Sequence, residues 1–405
     1  MSLSAEPPIA SPLIEKRWLD LQLRRRGAFF KFARKGSIML TYKDVGIRPF
    51  INASGTITTL GGSIMPTEVI DAMQTAAGAF IDLNKLHEKV GERLAQMIGV
   101  EAAFVSCGAA SGMQLAAAAC LTGTDRQRVA NLPNTHGIKN EFIISMVDSH
   151  SYVHQGMEVV GGKLVRVGTR QSVSTADIIG GIGSNTAAIV FFLGKQTKAQ
   201  LGEILPKATK RGVPVIVDAA AQLPPRSNLT EIVGMGASLV VFSGGKGLRG
   251  PQSSGLVLGK KAFVEAACLN SNPYSAIGRG MKVGKEEIMG LLTAVALFLG
   301  RDEREELAEC HARVALIAEA IQSIDGVQTE IKDKGQRASP DIVPRAYITV
   351  ADSQRKTPQQ VIHELRAGDP AIAVRQDGDA ILIDSMTLMP GEAEIIANRL
   401  VEVLA

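Results

Sequence analysis

The sequence predicts an α/β protein: a large domain on a mostly parallel sheet, then a smaller C-terminal α+β domain. Three features predict it. Between residues 39 and 300, short apolar runs rich in Val, Ile, Ala and Phe alternate with helix-length patterns. Those runs show no polar alternation, so they read as strands buried on both faces beneath helices. The length of 405 residues also exceeds the size at which one hydrophobic core keeps growing, which implies two domains sharing a cleft.

Taken in order, Ala102 to Ser106 reads as a strand followed by a helix through GMQLAAAACL. Phe142 to Val147 is the next strand, with a helix through GMEVVGG. Ala187 to Phe192 leads to a helix around KAQLGEILPKATKRG, and strands follow at Pro214 to Val217 and Ala237 to Phe242. Leu256 to Leu258 is expected to pair antiparallel at the end of this series. A long helix through EEIMGLLTAVALFL and another through ELAECHARVALIAEAIQSI lead into the small domain, residues 301–405. There the pattern gives a strand at Ala346 to Val350, a helix from Pro358, a strand pair at IAVR and AILID, and a closing helix through GEAEIIANRLVEVL.

Composition narrows the function. With 12 Phe, 4 Tyr and a single Trp, the chain is poor in the aromatic platforms on which nucleic-acid readers stack bases. The net charge of +4 is mild and concentrated. Lys16, Arg17, Arg24, Arg25, Arg26, Lys31, Arg34 and Lys35 crowd residues 1–38. That run reads as a solvated, poorly ordered extension, with an electrostatic arm for RNA or membrane as the alternative. Regular patterning opens at Met39, where the large domain, residues 39–300, is expected to begin. Cys107, Cys120, Cys268 and Cys310 form no short-spaced pair, which fits reduced thiols in a reducing compartment. The N-terminus lacks a signal-peptide pattern, and the longest apolar stretch, Ile288 to Gly300, is too short to span a bilayer. A soluble cytoplasmic protein with no membrane partner is expected.

In open α/β sheets, ligands gather beyond the carboxyl ends of the strands. Four strand ends here carry suitable chemistry. The small-residue turn Cys107-Gly108-Ala109-Ala110-Ser111-Gly112 can present helix N-terminal N–H groups and the Ser111 hydroxyl to a phosphate, or can simply allow close packing. Asp218 follows the strand PVIV and precedes Ala219-Ala220-Ala221-Gln222; it suits either a protonated pyridine nitrogen or a helix N-cap. Ser243-Gly244-Gly245-Lys246-Gly247 follows ASLVVF, and a lysine between glycines at a buried strand end is a poor choice for a solvated charge. Desolvation there favours the neutral amine that a Schiff base needs, with Ser243 placed for a phosphate. A nucleotide-binding turn is the alternative, but Gly247 after the lysine breaks the Walker spacing. The last strand end, Asp148 to His154, offers a ring to stack on a pyridine: His154 is preferred, with His150 and Tyr152 as alternatives. No HExxH pattern or third ligand accompanies the two histidines, so no metal is expected. Together these parts fit pyridoxal 5′-phosphate (PLP).

The order of these motifs, with SGGKGLRGPQ around Lys246, resembles the fold type I PLP enzymes. Within them it resembles the family of L-seryl-tRNA(Sec) selenium transferase (selenocysteine synthase) from about Tyr42 onward. IRPFINASGTITTLGGSIMP, VPVIVDAAAQLPP and GRGMKVGKEEI are most similar to its small-molecule branch, which includes D-glucosaminate-6-phosphate ammonia-lyase. The resemblance implies a Schiff base on Lys246 and cofactor contacts from Gly108, Ala109, Ala110, Ser111, His154, Asp218, Gln222 and Ser243. It also implies substrate contacts from Arg279, Lys282 and Lys285, which reach a neighbouring subunit's site in a homodimer or higher homo-oligomer. Arg375, in the small domain, suits a substrate carboxylate or an ordinary surface. The selenium transferase carries a substantial N-terminal region for its tRNA, whereas this chain offers a short basic run, so a free small molecule is the expected substrate.

The expected reaction is a lyase elimination of water and ammonia from a small β-hydroxy amino acid or 2-amino sugar acid, giving a 2-oxo acid. Racemisation, aldol cleavage and β-replacement use the same constellation and remain alternatives. An RNA-binding protein that keeps a cofactor fold is the alternative of another class.

Overall fold

The computed structural model describes residues 40–148, 150–333, 342–351 and 356–405. The extension read over residues 1–38 lies outside the described residues. The chain divides into two units, one ending at Pro49 and the other spanning Phe50–Ala405. Described residues of the first carry a 3-10 turn over Tyr42–Val45, with Thr41 and Asp44 capping one another.

The second unit is built on a seven-stranded sheet: β2 (Ala102–Ser106), β3 (Glu141–Ser145), β4 (Lys163–Val167), β5 (Thr186–Phe192), β6 (Val215–Asp218), β7 (Leu239–Ser243) and β8 (Gly255–Gly259), after a short β1 (Ile51–Asn52) that lies elsewhere. Their order is β2-β8-β7-β6-β5-β3-β4. Every pairing is parallel except those of β8, which runs antiparallel to both β2 and β7. β8 thus fills the reversal expected at Leu256 to Leu258. It also leaves β2 and β7 pointing the same way, so the carboxyl ends of β2, β7, β6, β5 and β3 open on one edge.

Successive side chains of a strand face opposite sides, and here both sides are buried. Val105, Ile189, Phe191, Val217 and Phe242 face one core, shared with Leu94, Leu201, Ile204, Ile288 and Leu291 from covering helices. Phe104, Val190, Phe192, Ile216 and Val241 face the other, shared with Met113, Ala116, Met157 and Val264. This is the physical basis of the non-alternating strand sequences.

A separate core lies under a four-stranded sheet ordered β12-β13-β10-β9. Its strands are β9 (Val327–Lys332), β10 (Arg345–Val350), β12 (Arg375–Asp377) and β13 (Ala380–Asp384), with β11 (Ile372–Ala373) outside it. One segment crosses the expected partition. β1 pairs in parallel with β11, and Ile51 and Ala53 join the C-terminal core. The reading IAVR therefore splits: Ile372 and Ala373 bind β1, while Arg375 starts the strand that meets β13.

Candidate active site

The helix Gly108–Thr122 begins at the end of β2. Gly108 takes φ 78°, a left-handed backbone that glycine adopts without penalty, and open space surrounds it where a Cβ would project. Helix N–H groups in the first turn lack intrahelical partners and favour an anion. Cys107, Gly108, Ala109 and Ser111 are half-buried and Ala110 is exposed, so this turn is accessible to a ligand. The Ser111 hydroxyl is directed back to the carbonyls of Cys107 and Gly108. Ser243, two strands away, pairs with Gly255, which in turn pairs with Ser106.

Asp218 closes β6. Its Oδ1 accepts the Ala220 N–H at 3.0 Å, and no helix starts until Asn228. Asp218 is therefore not a helix cap. Burial raises its carboxyl pKa, opposed by the Ala220 N–H and by the charge of Lys246. Lys246 lies in the turn after β7, half-buried. Burial lowers its amine pKa, opposed by Asp218. Each group thus pushes the other toward its charged form while desolvation favours the neutral one. The turn after Lys246 leads into β8 rather than into a helix, so the nucleotide-turn alternative lacks its helix N-terminus.

The glycines flanking the lysine answer to sterics. A Cβ on Gly245 would lie 2.5 Å from the Gln252 Cα, and one on Gly247 2.2 Å from the Leu223 carbonyl. A strap from the N-terminal segment holds the turn from above. Ser63 Oγ donates to the Gly245 carbonyl at 2.9 Å, and Gln252 Nε2 to the Thr58 carbonyl at 2.8 Å.

The helix expected through GMEVVGG starts earlier, at Ser151, and runs to Val159. His150 occupies its N-cap position and His154 its interior. His150 Nδ1 meets Asp148 Oδ1 at 2.6 Å, a bond that raises the imidazole pKa, and His150 also feels the charges of Asp218 and Lys246. His154 stacks on Phe192 with ring centroids 6.0 Å apart, and burial lowers its pKa. His150, rather than His154, thus shares the electrostatic neighbourhood of Asp218 and Lys246. Asp148, a buried carboxylate that serves both histidines, had no role in the sequence reading. Its signal was present in the sequence: a carboxylate directly after a strand, with histidines two and six residues on.

The remaining candidates spread out. Gln222 packs against Gly194, beyond the end of β5. Lys285 pairs with Glu286 and donates to the Ala77 carbonyl at 3.3 Å. Lys282 is exposed, as is Arg279, whose guanidinium donates to the Pro273 carbonyl of its own loop. Gly278 in that loop touches Leu115, seven residues along the helix from Gly108, or about 10 Å at 1.5 Å per residue. Arg375 lies in the C-terminal unit, 3.9 Å from Asp384.

What converges on the sheet edge is an accessible helix N-terminal turn, a carboxylate with one oxygen unbonded among the described residues, a desolvated amine and an imidazole. Those residues fit PLP. Comparison with known proteins agrees. The family model described as L-seryl-tRNA selenium transferase matches residues 50–389. The chain is 33% identical to the 5′-C-glycyluridine monooxygenase-decarboxylase of a Streptomyces species, over 92% of this chain and 94% of that one. It is 31% identical to the D-glucosaminate-6-phosphate ammonia lyase of Salmonella typhimurium (strain 14028s), over 89% and 97%. A solved D-glucosaminate-6-phosphate ammonia-lyase superimposes with TM-score 0.76 and 29% identity, covering 91% of this chain and 98% of that one. A serine palmitoyltransferase from S. paucimobilis, at TM-score 0.56 and 15% identity over 86% of each chain, shares the fold alone. The fold is that of the type I PLP enzymes, and the chain belongs to the L-seryl-tRNA selenium transferase family.

Proposed function

We propose that the protein holds PLP covalently through Lys246 and eliminates water from a 2-amino sugar acid, or a related β-hydroxy amino acid, to an enamine that takes up water again and hydrolyses to a 2-oxo acid and ammonia. The observation that carries this reading is the desolvated Lys246 amine facing an Asp218 carboxylate across adjacent strand ends. The similarity to the Salmonella ammonia lyase supports the elimination and its substrate class.

When bound, PLP supplies an electron sink for the pair left on the substrate α-carbon. Asp218 Oδ2 keeps a proton on the ring nitrogen, the charged partner that overcomes its own desolvation. The first-turn N–H groups of Gly108, Ala109 and Ala110, with Ser111 and Ser243, hold the phosphate. With PLP bound, Lys246 Nζ would take the substrate α-proton and return it to the departing β-hydroxyl as water leaves. His150 covers the ring, His154 supports it from behind and Gln222 braces the end of β5. Arg375 binds the substrate carboxylate from the residue 301–405 side, which we take as the smaller domain.

A homodimer completes the arrangement. Ile64, Ile70, Phe80 and Ile81 are exposed on and either side of the helix Thr67–Ala77, and exposed apolar side chains of this kind suit a second copy. Arg279 and Lys282, both exposed, then serve a neighbour's crevice, with Lys285 beside them. No helix among the described residues is long and apolar enough to cross a membrane; we read the protein as cytoplasmic, acting on a free metabolite rather than on tRNA.

The Streptomyces relative favours a second reading, oxidative decarboxylation of a glycyl group. A panel of D- and L-β-hydroxy amino acids and 2-amino sugar acids separates the two. Equal release of 2-oxo acid and ammonia from a 2-amino sugar acid is expected. Carbon dioxide release coupled to oxygen uptake would favour the second reading, and no product from any member would overturn the first.

A further inference from the structure

Three residues past β3, the Asp148 carboxylate is enclosed, with 1% side-chain exposure. Both of its oxygens turn to one residue. Oδ1 meets His150 Nδ1 at 2.6 Å, and Oδ2 accepts the His150 backbone N–H at 2.9 Å. The other neighbour, His154 Nε2, lies 3.7 Å from Oδ2. A buried carboxylate is costly without a counter-charge. Among the described residues these two imidazoles are its only ion-pair partners.

Of the two, His150 is placed to carry the charge. Its ring is the closer, at the length of a charge-assisted bond. His154 stacks on Phe192, and burial favours its neutral form, aided by the Arg166 charge and opposed by Asp148. The His150 ring is half exposed at the N-cap of the helix Ser151–Val159, where the helix dipole disfavours a cation. Its bond to Asp148 raises its pKa all the same, opposed by burial and by Lys246 and reinforced by Asp218. Tyr152 meets the ring edge-on at 5.4 Å, and burial, with the charges of Asp218 and Asp148, pushes its own pKa up to about 12, so it adds no charge. Nδ1 is committed to Asp148, which leaves Nε2–H as the imidazolium's free donor.

We propose that Asp148 is a positioning residue: it holds His150 as an imidazolium whose Nε2–H donates to an anionic oxygen, either the cofactor's ring oxygen or the substrate carboxylate. This rests on the reading that Lys246 holds PLP, and it gives the imidazole that covers the ring a charge and a direction. The pair Asp148–His150 is then neutral before any ligand arrives, as is Asp218 with Lys246.

Histidine NMR titration of the full-length protein as purified reads that charge, with the His150 signal identified by its loss in His150→Gln. Asp148→Asn should lower the His150 titration by about one unit or more, and Asp148→Glu should return it toward the parent. Equal titration of the parent and Asp148→Asn overturns the proposal. In the holoenzyme, kcat/KM for the active substrate should fall as pH rises through the His150 titration. Asp148→Asn should move that fall to lower pH by the same amount. Visible absorption of the bound cofactor separates the two oxygens. A spectral pH midpoint that moves in Asp148→Asn assigns the cofactor oxygen, and a shift confined to KM assigns the substrate carboxylate. If neither follows the His150 titration, the imidazolium serves no ligand and the proposal fails. Lower turnover with an unmoved pH profile would make Asp148 a structural residue, which also defeats it. A protein that takes up no PLP sinks the Lys246 reading instead, and the NMR titration still decides the pair.

Discussion

Two carboxylate–cation pairs sit at strand ends in this chain, and they are built for opposite purposes. Arg345 and Asp384 face one another across β10 and β13, at 1% and 0% side-chain exposure, with Arg345 Nε donating to Asp384 Oδ2 at 3.0 Å. The second Asp384 oxygen accepts the Met386 N–H at 3.0 Å, and the Asp384 N–H reaches the Ala53 carbonyl at 2.8 Å. That pair is closed, and it fastens the N-terminal segment to the C-terminal core. Asp218 and Lys246 carry the same charges on a half-buried crevice edge, without a direct bond between them. Burying a charge is costly unless its hydrogen bonds are met. The first pair is fastened by a direct bond, whereas the second has none between its members and stands at a crevice edge where a ligand could supply the missing partner.

The sharpest way to break this comparison is to remove the open cation. Lys246→Ala should fold normally and lose turnover by about 10³-fold or more, since it loses both the covalent anchor and the proton carrier. Steady-state ammonia release checks it; activity within tenfold of the parent would put the anchor elsewhere.

Matched amides then set the two carboxylates side by side. Asp384→Asn should destabilise by about 3–5 kcal/mol, because a buried guanidinium loses its counter-charge. Asp218→Asn should keep stability within about 1 kcal/mol and lower turnover by roughly 10²-fold or more, since a neutral side chain cannot hold a pyridinium proton. Urea unfolding alongside kinetics reads both, and a reversed pattern would erase the distinction.

His87 refines the rule. Its ring is 5% exposed, stacks on Phe104 at 5.3 Å, and has no hydrogen bond at either nitrogen in this structure. Burial pushes its pKa down to about 4. The folded state therefore binds fewer protons than the unfolded state between pH 6.5 and 4. Stability should fall across that window by about 3 kcal/mol, the loss being complete below pH 4. His87→Phe should remove that part of the acid sensitivity, as pH-dependent melting would show; an unchanged profile would mean that His87 is already paired or protonated. An unpaired buried group thus marks a ligand site only when it must stay charged.

Removing residues 1–38 should have the smallest effect. Cofactor content and turnover should stay within about twofold, because the regular strand and helix patterning begins only at Met39. A large loss that tracked RNA binding would favour the electrostatic arm instead.

The large sheet was legible because strands buried on both faces leave unbroken apolar runs, as in AAFVS, AAIVFF and ASLVVF. β4 escaped because it lies at the sheet edge and carries Lys163 and Arg166. β9 escaped because only one of its faces is buried, and β1 because two residues hold no pattern. Lys246 and Asp218 stood out as candidates because charge at the end of an apolar run is anomalous. The choice between the histidines turned on where a helix starts: a boundary moved by a few residues puts His150 at its N-cap and His154 in its interior.

The most direct test of the central claim is borohydride reduction of the purified holoenzyme, followed by peptide mass mapping. The account predicts a single reduced pyridoxyl adduct, on the peptide that contains Lys246, and its absence from Lys246→Ala. An adduct on another lysine, or a Lys246→Ala protein that still yields the same reduced peptide mass, would contradict it.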